Sequence, residues 1–153
     1  MNQIKTMELP DGVTLKLDIW DMAGGDMFEN QNRNFYAGTD CAVILYAIDS
    51  MQSFKSVVQY IQNVQDFCSP NCIKVLVGNK CDLVDSRMVS TDDGNECKDS
   101  YEDFFSSFCE VSAIPEQSHM VHALFQDIAL KLRDRKNNRT ESFRLKNSQA
   151  DLA

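Results

Sequence analysis

The stretch Ile73-Lys74-Val75-Leu76-Val77-Gly78-Asn79-Lys80-Cys81-Asp82 decides the fold. Its first half is an aliphatic, β-branched run, the pattern of a strand covered on both faces. Its second half turns polar immediately behind a glycine. A buried strand that ends in a polar loop belongs to an α/β sheet, where ligands bind beyond the carboxyl ends of the strands. Upstream, Cys41-Ala42-Val43-Ile44-Leu45-Tyr46-Ala47-Ile48 is a second apolar run of the same kind. Between the two, Phe54, Val57, Val58, Ile61, Val64 and Phe67 recur near helical spacing, which predicts a helix from Ser53 to Cys68 stopped by Ser69-Pro70-Asn71.

Outward from this pair of strands the alternation continues. A polar region through Gly94 leads to a short helix expected around Glu96–Asp103, and a weaker strand is expected within Phe104–Val111. Met120–Arg133 reads as a helix with Val121, Leu124, Phe125, Ile128 and Leu132 on one face. At the other end, Ile4–Leu9 and Val13–Trp20 alternate around Pro10-Asp11-Gly12, the signature of an antiparallel hairpin. Val13, Leu15, Leu17 and Ile19 would share one face of it. Strands alternating with helices predict a mainly parallel α/β sheet with one antiparallel hairpin. Beyond Arg133 the chain is polar and basic, so residues 134–153 read as a disordered tail or a frayed helix extension.

Composition narrows the class. The chain has 153 residues, 25% of them charged, and a net charge of −8, which argues against a nucleic-acid-binding surface. The charge is uneven: residues 1–130 carry a net −12 and residues 131–153 a net +4. The six cysteines (41, 68, 72, 81, 97, 109) form no C-x-x-C pair, and Cys41 opens an apolar run, so reduced thiols are expected. No apolar run approaches the ~20 residues that span a bilayer. His119 and His122 lie three apart near a helix start, with no third ligand nearby to make a metal site.

The chemistry should sit at three strand ends: Asp21-Met22-Ala23-Gly24, Asn79-Lys80-Cys81-Asp82 and Ser112-Ala113-Ile114. Each motif alone is weak, but their order and placement together are specific. Ile19-Trp20-Asp21-Met22-Ala23-Gly24-Gly25-Asp26 is similar to W-D-T-A-G-Q-E, Gly78-Asn79-Lys80-Cys81-Asp82-Leu83 matches G-N-K-x-D-L, and Glu110-Val111-Ser112-Ala113 looks like E-x-S-A-K. This constellation resembles the Ras superfamily of small GTPases. Trp20, Phe35-Tyr36-Ala37-Gly38 and the cysteine after Asn79-Lys80 favour its Rab branch. The resemblance implies a Ras-like P-loop NTPase G domain, with helices on both faces of the sheet, over residues 1–133, followed by a polar basic tail.

It also implies GTP or GDP and Mg²⁺ as ligands. Asp82 would accept two hydrogen bonds from guanine donors that adenine lacks, Asn79 would contact the base edge, and the Lys80 stem would lie along the base. Ser112 and Ala113 belong to the same base site, the Ala113 N–H meeting the guanine carbonyl. Asp21 would hold Mg²⁺ through water, and the Gly24 N–H would meet the γ-phosphate. Trp20 and Tyr36 would form an effector surface. Partners would be effectors and regulators of the Rab type, and the location cytoplasmic, peripheral on endomembranes through those partners.

The departures from the family pattern matter as much. No G-x-x-x-x-G-K-[ST] occurs in the 153 residues, so the phosphate-binding loop is not in this sequence, nor is the first strand, first helix or switch I segment. That strand lies mid-sheet in the family, and without it two strands would keep open edges prone to pairing between molecules. Gly25 occupies the usual place of the water-orienting Gln, so no catalytic residue is assigned. Met22 replaces a Thr and Ile114 a Lys. The last cysteine is Cys109, which leaves no C-terminal prenylation motif. GTP binding and hydrolysis are therefore expected to be severely impaired. The competing expectation is a degenerate GTPase-like module that binds proteins without cycling nucleotide.

Overall fold

Nine α-helices and β-strands follow one another along the residues that the computed structural model describes, 2–22 and 36–150, with side chains for 3–22 and 36–138. They are β1 (Asn2–Glu8), β2 (Thr14–Trp20), β3 (Cys41–Ala47), α1 (Met51–Lys55), α2 (Val57–Phe67), β4 (Ile73–Asn79), α3 (Thr91–Ser100), β5 (Ser107–Glu110) and α4 (Ser118–Ala150). The chain divides into two units, residues 1–22 with 125–153 and residues 23–124.

In the first unit β1 and β2 pair antiparallel, Asn2 opposite Trp20 and Glu8 opposite Thr14, as the alternation predicts. The turn closes through Leu9 N–H to Val13 O at 2.8 Å and Gly12 N–H to Leu9 O at 2.9 Å. Gly12 sits at φ +81°, a conformation strained for any residue with a Cβ. Leu15, Leu17 and Ile19 are half-buried while Thr14, Lys16 and Asp18 are exposed; Val13, placed on the apolar face by the sequence pattern, precedes the strand and is exposed. Met7, Leu9 and Ala129 form a small core with Leu15, Phe125 and Leu130, joining the hairpin to α4. Asp11 and Arg133 add an ion pair.

The second unit holds a parallel sheet in the order β3-β4-β5. Cys41 lies opposite Ile73 and Ala47 opposite Asn79, while Val75 to Gly78 face Ser107 to Glu110. Central β4 is covered on both faces, with Val75, Leu76 and Val77 fully buried. Burying each such side chain contributes roughly 1.5–3 kcal/mol. For β3 the expectation of two covered faces needs correction: Ile44 and Tyr46 are buried, but Leu45 is 50% exposed. Among the described residues β3 is an edge of its sheet, and an edge strand lacks the neighbour that would shield its outer face.

All three expected helices differ in extent from the sequence pattern. The helix expected over Ser53–Cys68 is split at Ser56, whose hydroxyl donates to the Gln52 carbonyl at 3.1 Å. Ser53 points its hydroxyl back at β3, accepting from Ala47 N–H at 2.9 Å. Such local bonds compete with the helical ladder. Helix α3 begins five residues before the expected Glu96, because Ser90 and Asp93 form a capping box. Ser90 Oγ accepts from Asp93 N–H at 3.0 Å, and the Asp93 carboxylate accepts from Ser90 N–H at 2.8 Å. Helix α4 continues past the expected end at Arg133 to Ala150, since no proline or glycine interrupts it there. Among the described residues no helix is long and apolar enough to cross a membrane.

Gly94, read in the sequence as the end of a loop, is buried in the first turn of α3. A Cβ there would lie 2.3 Å from the Phe108 ring and 2.6 Å from the Tyr46 hydroxyl. Overpacking costs about 1–3 kcal/mol, while the gain in helix propensity from Gly to Ala is about 1 kcal/mol. Gly94→Ala should therefore lower the urea midpoint. Ser90→Ala, which removes the cap, should destabilise by about 1 kcal/mol. The Ser90 bonds hold the Asp93 carboxyl below the usual carboxylate range. The part of this stability that comes from the Asp93 carboxylate is thus present at neutral pH and lost as pH falls through that lowered value, so the gap between the unmutated chain and Ser90→Ala should narrow in strong acid, the bond from Asp93 N–H to Ser90 Oγ remaining. An unchanged midpoint in Gly94→Ala would contradict the close-packing account.

Candidate functional site

Backbone ladders carry the loop after β4 to a fixed place. Val111 N–H donates to Gly78 O at 2.8 Å, Cys81 N–H to Val111 O at 3.1 Å and Ile48 N–H to Asn79 O at 3.0 Å. The loop is therefore tied both to the residues following β3 and to those following β5. Gly78 is closely packed: a Cβ would stand 3.0 Å from the Tyr46 hydroxyl and 3.2 Å from Glu110 Cγ, so these side chains would have to give by a few tenths of an ångström.

Lys80 adopts φ +64°, a left-handed conformation that costs a non-glycine residue about 1–3 kcal/mol. Asn79 offsets this cost, its Oδ1 accepting from the Lys80 N–H at 2.7 Å, and Leu83 N–H donates to the Lys80 carbonyl at 2.9 Å. The Lys80 ammonium lies 3.1 Å from both oxygens of Asp49. Its side chain is half exposed, so solvent reduces this pair to about 0–1 kcal/mol; its effect is to aim the side chain.

Asp82 and Ser112 join two of the three motifs. The Ser112 hydroxyl donates to Asp82 Oδ1 at 2.5 Å, and Ser112 is fully buried. Its oxygen also accepts from Ile114 N–H at 3.4 Å. Among the described residues Asp82 Oδ2 has no partner, and a carboxylate offers about four lone-pair sites. The carboxylate is thus oriented while keeping capacity for further donors. Around it, Arg87 forks onto Glu110 at 2.7 and 2.9 Å and donates to Val89 O at 3.0 Å, while the Thr91 hydroxyl reaches Glu110 at 3.2 Å. Glu110 holds the Arg87 guanidinium above its ordinary pKa. This fork ties the segment between β4 and α3 to β5. Burial pushes the Cys81 thiol up, so it is not an activated nucleophile.

Of the residues singled out by sequence, Asn79, Lys80, Asp82 and Ser112 come together at the ends of β4 and β5, with Ala113 exposed next to them. Asp21 and Trp20 lie at the end of β2 in the other unit, both exposed. Tyr36 is half-buried against Phe67, ring centroids 5.8 Å apart, and burial raises its hydroxyl pKa. Gly24 and Gly25 fall outside the described residues. Asp49, Arg87 and Glu110 were given no role in the sequence. Asp49 follows β3 by two residues, so strand-end reasoning applied to that strand finds it; Arg87 carries no local signal.

Removing the Ser112 hydroxyl should orphan the Asp82 carboxylate and the Ile114 N–H together. A hydrogen bond to a charged group is worth roughly 1.5–3 kcal/mol, so Ser112→Ala should lose stability on that scale in urea unfolding. Asp82→Asn retains an acceptor oxygen and should lose less. Equal losses would mean the bond is not what holds these two loops.

Comparison with known proteins supplies the family. The Ras family model matches residues 1–134. The chain is 38% identical over 112 residues to the GTP-binding protein YPT1 of Saccharomyces cerevisiae, covering 73% of this chain and 52% of that protein. It is 34% identical over 133 residues to the Ras-related protein RIC1 of Oryza sativa subsp. japonica, covering 87% and 63%. With the Ras-related protein Rab-8A of Gallus gallus it shares 36% over 111 residues, covering 72% and 52%. The chain thus spans about half to two-thirds of the length of these relatives. Motif order, a parallel α/β sheet together with a separate antiparallel hairpin, and these matches agree: the chain belongs to the Ras family of small GTPases and is Rab-like.

Proposed function

We propose that the chain contributes the guanine-recognition part of a Rab-type switch of vesicle traffic, and that its own GTP turnover is severely impaired. The single observation that carries the first half is the Ser112–Asp82 hydrogen bond, which orients a carboxylate with spare acceptor capacity at the carboxyl ends of two parallel strands. Asp82 accepts from the guanine N1–H and exocyclic amine. The Lys80 stem lies along the base, Asn79 meets its edge, and the Ala113 N–H meets its carbonyl. In this reading residues 1–133 are the G domain and 134–153 a polar basic tail. Trp20 and Tyr36 serve Rab-type effectors and regulators, which bring the protein to endomembranes.

The fit to GTP and Mg²⁺ is uneven along the ligand. The base donors match the acceptors named above. For the phosphates, Gly24 N–H and the Asp21 carboxylate, the latter through water on Mg²⁺, are the groups this sequence offers. Bound Mg²⁺ would supply charge neutralisation at the β- and γ-phosphates. The 153 residues contain no G-x-x-x-x-G-K-[ST], and Gly25 has no side chain to orient water. Base recognition offers two charge-assisted bonds of roughly 1.5–3 kcal/mol each, against an association cost of about 4–15 kcal/mol. Binding is therefore marginal before the phosphates meet a body of net −12.

Base choice tests the first half. In a competition assay GTP should displace a guanine probe better than ATP, and Asp82→Ala should erase the difference. Equal displacement by the unmutated chain would sink the assignment and favour the module that binds proteins without nucleotide.

Turnover tests the second half. Single-turnover phosphate release from residues 1–153 with GTP and Mg²⁺ should not exceed that of Asp21→Ala. Release well above this control would refute the impairment.

A further inference from the structure

An open groove of 410 Å³ runs between α1 and α2 on one side and α3 on the other. Phe54, Val57 and Val58 line it from the first side, Cys97 and Tyr101 from the second. Val57 is buried but Val58 is 56% exposed, so apolar surface stays uncovered at the mouth. The α3 rim is acidic. Asp93 and Glu96 both line the groove, and residues 91–103 hold six acidic side chains against Lys98 alone. Ser90 takes up the Asp93 carboxylate, whereas among the described residues the Glu96 carboxylate has no hydrogen bond or ion pair. Lys55 is the one basic side chain of the lining.

The complementary pattern lies in the same sequence. Helix α4 packs on the hairpin through Phe125, Ala129 and Leu130, and Arg133 pairs with Asp11. It then continues seventeen residues to Ala150, about 25 Å at 1.5 Å per residue, with no proline or glycine at which to turn back. Within residues 139–146, Arg139, Arg144 and Lys146 accompany Phe143 and Leu145, and Glu141 is the one acid. This inverts the groove, which offers acids, one base and an apolar lining.

We propose that the groove between α2 and α3 is a docking site for the basic helical tail of a second copy of this chain. Helix-in-groove recognition needs apolar anchors on the helix and a groove to receive them, with flanking charge to fix the pose. Phe143 and Leu145 supply the anchors, and Arg139, Arg144 and Lys146 meet the acidic α3 rim. Whole copies, each at net −8, repel one another; attraction arises where the +4 of residues 131–153 meets the −12 of residues 1–130, which orients the encounter. Each copy carries one groove and one tail, so mutual docking closes a two-fold dimer. This site is separate from the base site at the ends of β4 and β5 and does not depend on nucleotide.

Sedimentation velocity of the full chain reads the dimer. At about 0.01 M salt, where the Debye length is about 30 Å, dimer should form with rising concentration; at about 1 M, where it is about 3 Å, the dissociation constant should rise about tenfold or more. Glu96→Lys and Phe143→Asp should each weaken the dimer by a similar factor, while Phe143→Leu should keep it. Cross-linking locates the contact in the unmutated chain, whatever the variants do to folding. A carbodiimide, which joins a lysine to a carboxylate in contact with it, is applied to an equal mixture of ¹⁴N- and ¹⁵N-labelled chains and the products are read by mass spectrometry. The expected product joins Lys146 to an acid within residues 92–99, in peptide pairs of mixed label. A chain that stays monomeric at low salt would overturn the proposal, as would a dimer indifferent to salt and to Phe143→Asp. Cross-links whose two peptides always share one label would do the same, since they put the tail on its own chain.

Discussion

Strand β4 is hydrogen-bonded to a neighbour on each edge and buried on both faces, and the rest of the second unit is positioned by it. A strand so enclosed cannot slip in register, because a one-residue shift would turn the Val75 and Val77 face over to the Leu76 side. Its polar end is therefore delivered to one place. Gly78, Asn79, Lys80 and Asp82 leave the sheet between the ends of β3 and β5, where their backbone groups find partners on both sides.

The base-site residues depend on this delivery for their geometry. Lys80 holds a left-handed backbone because Asn79 Oδ1 and Leu83 N–H take up its main-chain groups. The Asp82 carboxylate is turned by a hydroxyl thirty residues away, and that hydroxyl is itself fixed by complete burial. Arg87 and Glu110 close the arrangement from the side. Their charges are mostly shielded from water, so the forked pair orients more firmly than the half-exposed Lys80–Asp49 pair.

Much of the fold was legible because the relevant signals are local. The hairpin follows from alternation around Pro10-Asp11-Gly12, and β3, β4 and β5 fall within the apolar stretches named from the sequence. Helix boundaries were less legible. The break at Ser56 depends on hydroxyls bonding to the backbone, and the early start of α3 on a capping box that a glycine one residue later obscures. Gly94 itself misleads, since glycine marks loops as well as close packing; only the positions of Phe108 and Tyr46 distinguish the two.

The sequence by itself determined the class of fold, the places where polar motifs follow apolar strands, and their likeness to the Ras family. All of these depend on residue order and on periodicities a few residues long. Tertiary structure alone decided that Ser112 orients Asp82, that Asp49 aims Lys80 and that Leu45 stays exposed on an edge. The physical reason is that a hydrogen bond depends on position and direction in space. Residues 30 or 31 apart acquire a shared position only after parallel strands have paired and fixed where each loop leaves the sheet.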